Sequence, residues 1–435
     1  MESTRVATRT SQYAASRVVY DALVLDARLR QSVVTVRSLG SRGLRVAALE
    51  TVDGLPAPAL SSRWCQQQAI CAAREGTKEY LTCLERILDA NGARVLITSS
   101  DGTIALIRQH REQLEKRVRI ALAKEPALSI AVNKEQTLEI AQQLEVGVPR
   151  AVTLRSVSEV GEALREIGLP AVVKPVESWL WGGKRGARVI SQLVTTPDEA
   201  RRAVEQLTYS GGTVLFQQFL SGRRESLSFF YANGEIYARY AFWGKRTNPP
   251  LGGVYTLRQS IPFPEDTGMQ AERLVREIDL EGYSQVEFRR DSAGKPYLME
   301  INPRLNLGIG GAVRDGVDFP YLLYSWANGD RLEKVNSYHT GTHMRYLGGD
   351  IMTTLASIRQ RGRPGVTPPA RAILDFLSTF LLPTGYDYVD WRDLLPVWTA
   401  MRGFMRSTLR LMRHELSQRK LTRNASVKKE STRKV

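Results

Sequence analysis

The chain is poor in the residues that build disulfide frameworks and histidine metal centres. It has only 3 cysteines and 4 histidines in 435 residues. The cysteines, Cys65, Cys71 and Cys83, are odd in number and show no C-x-x-C spacing. This pattern argues against a disulfide framework and a zinc site, and it favours a reducing compartment. No histidine joins a cysteine or acidic cluster with ligand spacing, so a histidine metal centre is not predicted either.

Long apolar runs are also missing. No run reaches the roughly 18 residues that are needed to cross a bilayer. The nearest candidate, residues 372–382, contains Asp375 and stops at Pro383. Residues 1–16 lack the apolar centre of a secretory signal and are predicted to be a disordered lead-in. These absences predict a cytoplasmic protein.

Positive charge, by contrast, is abundant, with a net charge of +16. Residues 402–435 contain eleven lysines and arginines against two glutamates, and residues 401–416 have the pattern of a basic amphipathic helix. No nucleic-acid module or interleaved aromatic pattern accompanies this charge, so no nucleic-acid partner is expected. Two interpretations of the helix stay open. It either contacts an anionic membrane peripherally, at the inner face, or packs on the core with a solvated basic face.

The strongest chemical signal is a hairpin at residues 285–304. A turn at residues 292–295 places Glu287 across from Glu300. Opposed carboxylates about 5 Å apart destabilise a sheet unless something compensates their charge. Asn302 lies on the same face as Glu300, because side chains alternate along a strand. Two carboxylates and an amide oxygen form a hard oxygen site that suits Mg²⁺ or Mn²⁺.

An ordinary solvated hairpin is the alternative interpretation of the acidic pair. The neighbouring residues argue against it, because apolar strands indicate burial. These neighbours are Val286, Phe288, Leu298, Met299 and Ile301.

The segment Glu300-Ile-Asn-Pro-Arg304 resembles the E-I-N-P-R motif of the ATP-grasp superfamily, in its carbamoyl phosphate synthetase-like branch. The resemblance implies an α/β fold, in which a Rossmann-like pre-ATP-grasp domain precedes a two-subdomain ATP-grasp fold. It implies that Glu287, Glu300 and Asn302 hold metal, expected to be two Mg²⁺ or Mn²⁺ ions. It also implies that Arg304 stabilises the transferring group during catalysis.

The resemblance covers about residues 22–326 and, with composition, divides the chain into six segments. The expected divisions are a disordered lead-in (1–17), a pre-ATP-grasp domain (18–130), a small ATP-grasp subdomain (131–213), a large subdomain with the metal site (214–345), a mainly helical extension (346–418) and a disordered basic tail (419–435).

The opening of the chain reads as alternating strands and a helix. Strands are predicted at residues 18–25, 45–49 and 94–98, and a helix at residues 31–39. The glycine-rich dinucleotide fingerprint is absent, so a nicotinamide cofactor is not expected. Asp26, Ser100 and Asp101 follow strands and are candidates for substrate binding, although such residues also serve as caps and turns.

Two lysines occupy positions that are unfavourable for a positive charge. Lys134 opens a helix predicted from Asn133 to Leu144, at the end where the helix dipole favours anions. Lys174 interrupts the apolar strand of residues 169–175, where its head either meets a partner or reaches solvent. The resemblance implies that both lysines bind nucleotide phosphates, with Lys174 also counted as catalytic. It further implies a glycine-rich phosphate loop at residues 177–187, including Gly183 and Lys184.

The strand at residues 214–220 corresponds by resemblance to the segment that binds the nucleotide base. The implied base contacts are Gln217, Gln218, Phe219 and Leu220. The family's glutamate at this hinge is a glutamine here, which changes the expected contact. Glu225 is implied to bind the ribose hydroxyls. Residues 239–253 are expected to form a basic loop, either for an anionic acyl substrate or as an ordinary charged turn.

The function implied by the resemblance is an ATP- and Mg²⁺-dependent carboxylate–amine or carboxylate–thiol ligase. Such a ligase forms an acylphosphate and releases ADP and phosphate. Its substrates would be small-molecule or peptide- or glycan-linked carboxylates and amines. Two alternatives are retained. One is an enzyme that acts on bicarbonate, as biotin carboxylase and carbamoyl phosphate synthetase do, and the other is a non-catalytic ATP-binding protein.

Overall fold

The computed structural model describes residues 19–52, 55–182, 185–209, 211–250, 252–363 and 365–410. Within these residues the chain forms four sheets of five, four, seven and two strands. The predicted lead-in, the predicted basic tail, Gly183 and Lys184 lie outside the described residues. No helix of the described part is long and apolar enough to cross a membrane.

The first sheet is parallel and has the strand order β3-β2-β1-β4-β5. Its strands are β1 (Ala22–Val24), β2 (Val46–Thr51), β3 (Cys65–Cys71), β4 (Val95–Ile97) and β5 (Arg119–Ile120), and its helices are α1 (Arg30–Ser41), α2 (Lys78–Asn91) and α3 (Asp101–Glu115). The central strands β1 and β4 are buried throughout, as expected for a sheet covered on both faces. The strand order reverses between β1 and β4, which creates the crevice where open α/β sheets bind ligands.

Hydroxyl side chains fix the starts of two helices of this unit. The Thr77 side chain accepts a hydrogen bond from the Tyr80 amide at the start of α2. The Ser100 side chain accepts one from the Thr103 amide at the start of α3. Each bond satisfies an amide that a helix start would leave unpaired. The predicted Rossmann-like opening is therefore present, with the β4–α3 junction at the crevice.

The second sheet is smaller and has the order β10-β7-β11-β6. It consists of β6 (Ala151–Leu154), β7 (Ala171–Pro175), β10 (Gln192–Val194) and β11 (Val214–Gln218), with α4 (Ala127–Val132), α5 (Lys134–Gln143), α6 (Val160–Ile167) and α7 (Pro197–Thr208) preceding or covering its strands. Between β7 and β10, β8 (Trp179–Gly182) and β9 (Arg185–Arg188) form a separate hairpin, where the sequence predicted a loop. Because β11 pairs with β6 and β7, the small sheet extends to Gln218, beyond the domain boundary expected at residue 213.

The third sheet carries the acidic hairpin and has the order β16-β15-β12-β13-β14-β17-β18. Its strands are β12 (Arg224–Ala232), β13 (Glu235–Asn248), β14 (Val254–Ser260), β15 (Gly282–Arg290), β16 (Pro296–Asn302), β17 (His343–Arg345) and β18 (Thr384–Tyr386). The helices of this part are α8 (Glu265–Glu277), α9 (Ile309–Arg314), α10 (Phe319–Asn328), α11 (Leu347–Arg359) and α12 (Pro369–Ser378). Residues 395–410 form a further helix, called here the C-terminal helix.

The basic loop expected at residues 239–253 is mostly strand. Strand β13 runs to Asn248, and Arg246 turns inward to pair with Asp350. An arginine with a buried carboxylate partner can continue a strand as an apolar residue would, and the sequence alone does not reveal that partner. The loop was therefore predicted wrongly because the carboxylate lies about a hundred residues further along the chain.

Buried ion pairs anchor the extension that follows β17. Asp350, on α11, is fully buried and accepts hydrogen bonds from Arg246 at 2.6 Å and from Arg345 at 2.7 Å. Asp387, which follows β18, is paired with Arg30 of the first sheet unit and with Arg258 of β14. The extension is thus tied to both large parts of the fold. It is mainly helical, as predicted, and also contributes β18 to the seven-stranded sheet.

Replacing Asp350 with alanine should destabilise the protein strongly. The change leaves the buried guanidinium of Arg345 and the partly buried guanidinium of Arg246 without their carboxylate, and breaking a buried pair in this way costs about 3–5 kcal/mol. Urea denaturation measures the loss. The matched control is Glu277→Ala, an exposed position on α8 where a change within about 0.5 kcal/mol is expected. Equal stability of the two variants would contradict the anchoring role of Asp350.

Candidate functional site

The two predicted metal-binding carboxylates face each other in the sheet. Glu287 on β15 is directly paired with Glu300 on β16. The turn is not the one expected at residues 292–295. Arg290 pairs with Pro296, so residues 291–295 form the connection between the strands. Strand β16 has a β-bulge opposite Glu287 and Phe288, where Met299 is an extra residue without a counterpart on β15. This extra residue restores the pairing of the two carboxylates. The pairing was predicted correctly, but the turn that produces it was not.

Cationic and amide side chains already neutralise this carboxylate pair. Arg224 donates to Glu287 at 2.9 Å, and Gln285 donates to its other oxygen at 2.9 Å. The Lys134 ammonium lies 3.9 Å from Glu300. Burial alone would raise the pKa of Glu300, but the charges of Lys134 and Lys174 outweigh it and lower the pKa below its usual value. A divalent cation was predicted as the compensation, and the structure shows that the protein also supplies cations of its own.

The donor set still fits a magnesium ion. Asn302 lies beside Glu300, with its amide nitrogen 3.4 Å from a Glu300 oxygen. Among the described residues, no cluster of three His, Cys, Asp or Glu side chains could hold a metal alone. Two carboxylates and an amide form a smaller set, which suits Mg²⁺ because this ion keeps waters and binds substrate phosphates. The metal role of Glu287, Glu300 and Asn302 stays a prediction.

A second pair of like charges lies next to the carboxylates. Arg224 on β12 is directly opposite Arg289 on β15, and Arg289 is two residues from Glu287, on the same face of the sheet. Burial, together with the positive charge of Arg224, lowers the pKa of Arg289 to about 10. Opposed arginines are destabilising unless an anion lies between them. Sequence reasoning missed both residues, although the alternation that placed Asn302 beside Glu300 also places Arg289 beside Glu287.

The two predicted phosphate lysines are both buried near the carboxylates. Lys134 begins α5, where the capping side chain of Asn133 accepts from the Gln136 amide. Its ammonium donates to Ser178 at 3.1 Å, and its amide is bonded to Val176. The helix start therefore offers fewer free amides than the sequence suggested. Lys134 would contact an anion through its side chain.

Lys174 lies on the small sheet, close enough to the lysine, arginine and glutamate side chains of this cluster for their charges to shift its pKa. Burial lowers its pKa to about 8, and the positive charges of Lys134 and Arg224 act in the same direction. The charges of Glu300 and Glu287 partly oppose that shift. Lys174 is therefore a buried cation with like charges nearby, which is a favourable environment for a polyanion.

Gln217 carries a buried polar side chain on the same sheet as Lys174. Its side chain is fully buried, and neither its amide nitrogen nor its amide oxygen has a hydrogen-bond partner among the residues that the structure describes. On β11 it is two residues from Leu215, which pairs with Lys174, so Gln217 and Lys174 share one face of the small sheet. Buried amides are almost always hydrogen-bonded. An unpaired donor and acceptor on this face match the edge of a nucleotide base.

The other residues predicted to contact the nucleotide lie in different surroundings. Phe219 stacks under the guanidinium of Arg289, at 5.1 Å from the ring centre. Gln218 is half-buried at the end of β11, and Leu220 is buried. Glu225 lies on the face of the large sheet opposite to Glu287, since its neighbour Ser226 is the residue paired with Glu287.

Glu225 is also fully buried and is held by Arg290 through two bonds of 2.9 Å each. Arg223 and Thr267 occupy its remaining positions. The structure therefore does not bring Glu225 to the carboxylate and lysine cluster, and it gives no support to the predicted ribose contact.

Arg304 joins the acidic hairpin to the first sheet. Its guanidinium donates to Asp101, in the first turn of α3, at 2.6 Å. This ion pair raises the pKa of Arg304 above its ordinary value despite burial. A cavity opens at this junction. It is lined by Asp101, Lys134, Ser178, Trp179, Glu300 and Asn302, among others.

An acidic cluster lies at the crevice of the first sheet, on the Asp101 side of the cavity. Burial raises the pKa of Asp26 to about 6 and that of Glu75 to about 7, and nearby carboxylates add to both shifts. Asp26 accepts from the Ser99 amide at 2.9 Å, and Glu75 accepts from the Ser100 hydroxyl. The predicted candidates Asp26, Ser100 and Asp101 thus meet at one edge, and Glu75 is a member that the sequence did not reveal.

These elements, two sheets around buried lysines and an acidic hairpin, together with a Rossmann-like unit, define the ATP-grasp fold. A family model described as "ATP-grasp in the biosynthetic pathway with Ter operon" matches residues 215–349. The predicted resemblance to the ATP-grasp superfamily and the predicted fold class are both confirmed.

Curated relatives agree with this placement. The chain is 25% identical over 221 residues to the carbamoyl phosphate synthase large chain of Methanoculleus marisnigri, which covers 48% of this chain and 20% of that one. It is 22% identical over 185 residues to the D-alanine–D-alanine ligase of Acinetobacter baumannii, which covers 40% of this chain and 57% of that one. The matches therefore span one fifth and just over half of these relatives.

Solved structures share the fold over a longer stretch. A biotin carboxylase from Campylobacter jejuni, in complex with β,γ-ATP, superposes with a TM-score of 0.60 at 15% identity and covers 74% of each chain. The biotin carboxylase domain of Hydrogenobacter thermophilus 2-oxoglutarate carboxylase, with MgADP and bicarbonate, superposes with a TM-score of 0.59 at 16% identity. That match covers 75% of this chain and 73% of the other.

Arg224 is expected to compete with Mg²⁺ for Glu287. Replacing Arg224 with glutamine leaves the two carboxylates with less compensation, so Mg²⁺ without nucleotide should raise the Tm of Arg224→Gln more than that of the wild type. Thermal unfolding with and without millimolar MgCl₂ measures this. The double variant Arg224→Gln/Glu287→Gln should lose the extra shift, and Arg273→Gln, exposed on α8, should behave as the wild type does. The same shift in all four proteins would contradict the competition.

Proposed function

We propose that the protein is an ATP- and Mg²⁺-dependent ligase that joins a carboxylate to an amine through an acylphosphate and releases ADP and phosphate. The observation that carries this proposal is the convergence of two opposed glutamates, two opposed arginines and two buried lysines. Anionic and cationic groups in this arrangement complement a metal-bound polyphosphate and stabilise phosphoryl transfer by position and charge. The names of the curated relatives, one of them a ligase, are consistent with it.

The nucleotide would lie between the small and large sheets. Lys134, Lys174 and Arg289 would contact its phosphates, and the unpaired amide of Gln217 would recognise the base. Glutamine suits this role because its amide offers one donor and one acceptor side by side, which matches the adenine edge. Glu287, Glu300 and Asn302 would hold Mg²⁺. When bound, Mg²⁺ would neutralise the negative charge that develops on the leaving group.

The acid substrate would bind where the large sheet meets the first sheet. One of its carboxylate oxygens attacks the γ-phosphorus of ATP, the bond to the β,γ-bridging oxygen breaks, and ADP leaves. Arg304 is positioned by Asp101 to stabilise charge on the acylphosphate. The buried guanidinium carries its charge at any physiological pH, which suits this role.

The nucleophile is proposed to be an amine because the crevice beyond Asp101 is acidic. The amine nitrogen attacks the acyl carbon, phosphate leaves, and the nitrogen gives up a proton. Glu75 is suited to accept that proton, since its pKa lies near 7 and a general base works best near the operating pH. A thiol would need no acidic crevice, so the cluster of Asp26 and Glu75 favours an amine over a thiol.

The first test is calorimetric titration of Mg-ATP into the wild type and two variants that affect opposite ends of the nucleotide. Glu300→Gln and Gln217→Leu should each weaken binding at least about tenfold, which is about 1.4 kcal/mol. Gln217→Leu should leave the Tm unchanged or higher, because it removes an unpaired buried amide. The control Glu277→Gln should bind normally.

ADP release with panels of carboxylates and amines then separates the ligase from its alternatives. ADP formed only when both substrates are present supports the ligase. Binding without turnover would favour a non-catalytic ATP-binding protein, and bicarbonate-dependent turnover without an amine would favour carboxylation. Failure of the wild type to bind Mg-ATP would overturn the proposal.

Binding of Mg-ATP should weaken at alkaline pH. Lys174 has a pKa of about 8 in the free protein, and a bound polyphosphate favours its charged form, so binding takes up a proton above that pH. The apparent affinity should fall by up to about tenfold per pH unit from about pH 8 to about pH 9.5. Lys174→Arg stays charged in this window and should show a flatter profile. Identical slopes for the two proteins would show that Lys174 does not contact the phosphates.

A further inference from the structure

Exposed apolar side chains are concentrated at the C-terminal end of the described chain. Most of the large apolar residues with exposed side chains lie between Leu355 and Leu409. Trp391 is 83% exposed and Leu381 is 87% exposed. Apolar residues scattered singly over a surface are ordinary, but a contiguous group of them marks an interaction surface.

Helix α12 exposes one group of these apolar side chains. Its inner side is fixed, since the carbonyl of Asp375 accepts from Arg246 and the carbonyl of Phe376 accepts from Arg345. Its outer side and the turn that follows expose apolar residues at helical spacing. These are Ile373, Leu374, Leu377, Phe380 and Leu381. The exposed face is therefore not a fraying end, because the opposite side of the helix is anchored by hydrogen bonds to buried arginines.

The C-terminal helix shows the same division into two sides. Its inner side packs on the fold, because Phe404 lies against Gly348 and Gly403 lies against Pro56. Thr399 also donates to Ser61 at 2.8 Å. The alternative in which this helix packs on the core therefore holds for one side of it, and the other side is a separate surface.

The outer side of the C-terminal helix combines apolar and basic columns. Trp398 is 58% exposed, and Met401, Met405 and Leu409 follow it as exposed residues. Residues four apart lie above one another on a helix, so the exposed residues Arg402, Arg406 and Arg410 form a second column beside the apolar one.

We infer that this outer face of the C-terminal helix is a docking surface for an anionic lipid membrane. Two features select a membrane from the possible occupants. The arginine column complements anionic headgroups, and exposed tryptophan, methionine and leucine suit the boundary between headgroups and acyl chains. The sequence of residues 411–435 continues the positive charge, with eight further lysines and arginines against two glutamates. This inference is independent of the proposed ligase activity.

The test is co-sedimentation of the full chain with vesicles of phosphatidylcholine alone or with phosphatidylglycerol added. We expect binding to the anionic vesicles only, weakened by salt because exposed charges are screened. The variant Arg402→Gln/Arg406→Gln should weaken binding by about fivefold for each charge removed. The variant Trp398→Gln/Met405→Gln should weaken it at least as much.

A matched control is available on α8. Met269 and Arg273 are exposed residues one turn apart, so Met269→Gln/Arg273→Gln removes the same side-chain types from another surface and should leave binding unchanged. Circular dichroism and Tm confirm that each variant is folded.

Three results would overturn the inference. The first is no binding to anionic vesicles at low salt. The second is equal binding by the outer-face variants and the α8 control, which would assign the binding to residues 411–435 alone. The third is self-association without lipid that the Trp398 variant abolishes while no vesicle binding occurs, because the face would then join two copies of the chain. Mg-ATP binding, measured in the same preparations, shows separately whether the nucleotide site is intact.

Discussion

Like charges placed directly opposite each other on the seven-stranded sheet are the constraint on which the site depends. Glu287 faces Glu300 on one pair of strands, and Arg224 faces Arg289 on the next. Each pair alone would repel, but the two pairs are neighbours and Arg224 bridges them through Glu287. The sheet thus holds positive and negative charge side by side, and Glu300 of the acidic pair lines the cavity. A ligand that carries both a polyphosphate and a divalent cation would satisfy both pairs at once, which few other ligands could do.

The remaining parts of the fold place complementary groups around this charge pattern. The small sheet contributes Lys174 and the unpaired amide of Gln217 on one face. Helix α5 contributes Lys134, and the first sheet contributes Asp101 as the partner of Arg304. Because these groups belong to three different sheets and their helices, the site exists only when the sheets are packed together. The buried carboxylates of Asp350 and Asp387 hold the C-terminal extension against two of those parts.

The sequence was informative where one strand or one helix determines the outcome. Alternation along a strand was sufficient to place Asn302 beside Glu300, and the Asn133 cap was sufficient to begin α5 at Lys134. The partners that come from distant segments could not be predicted. Arg246 was assigned to a loop because its carboxylate, Asp350, lies on a helix more than a hundred residues later.

The candidate site was predicted incompletely for the same reason, because some of its contacts join distant segments of the chain. The resemblance implied a ribose contact for Glu225, which stays a prediction; the pairing of Ser226 with Glu287 places Glu225 on the other face, where Arg290 holds it. Arg224 and Arg289 were missed because opposition across strands depends on a register that no single strand reveals. Glu75 was missed because it precedes α2 and reaches Ser100 only through the packing of the first sheet.

The bulge at Met299 limits how the length of this hairpin can change. The turn alone would set the strands one residue out of the register that opposes the carboxylates, and the bulge corrects it. A deletion in the turn or at the bulge would therefore move Glu300 to the opposite face of the sheet, because side chains alternate at every residue. Insertions and deletions here should survive only in compensating pairs. The length of the loop and the bulge together therefore set the register that opposes Glu287 and Glu300.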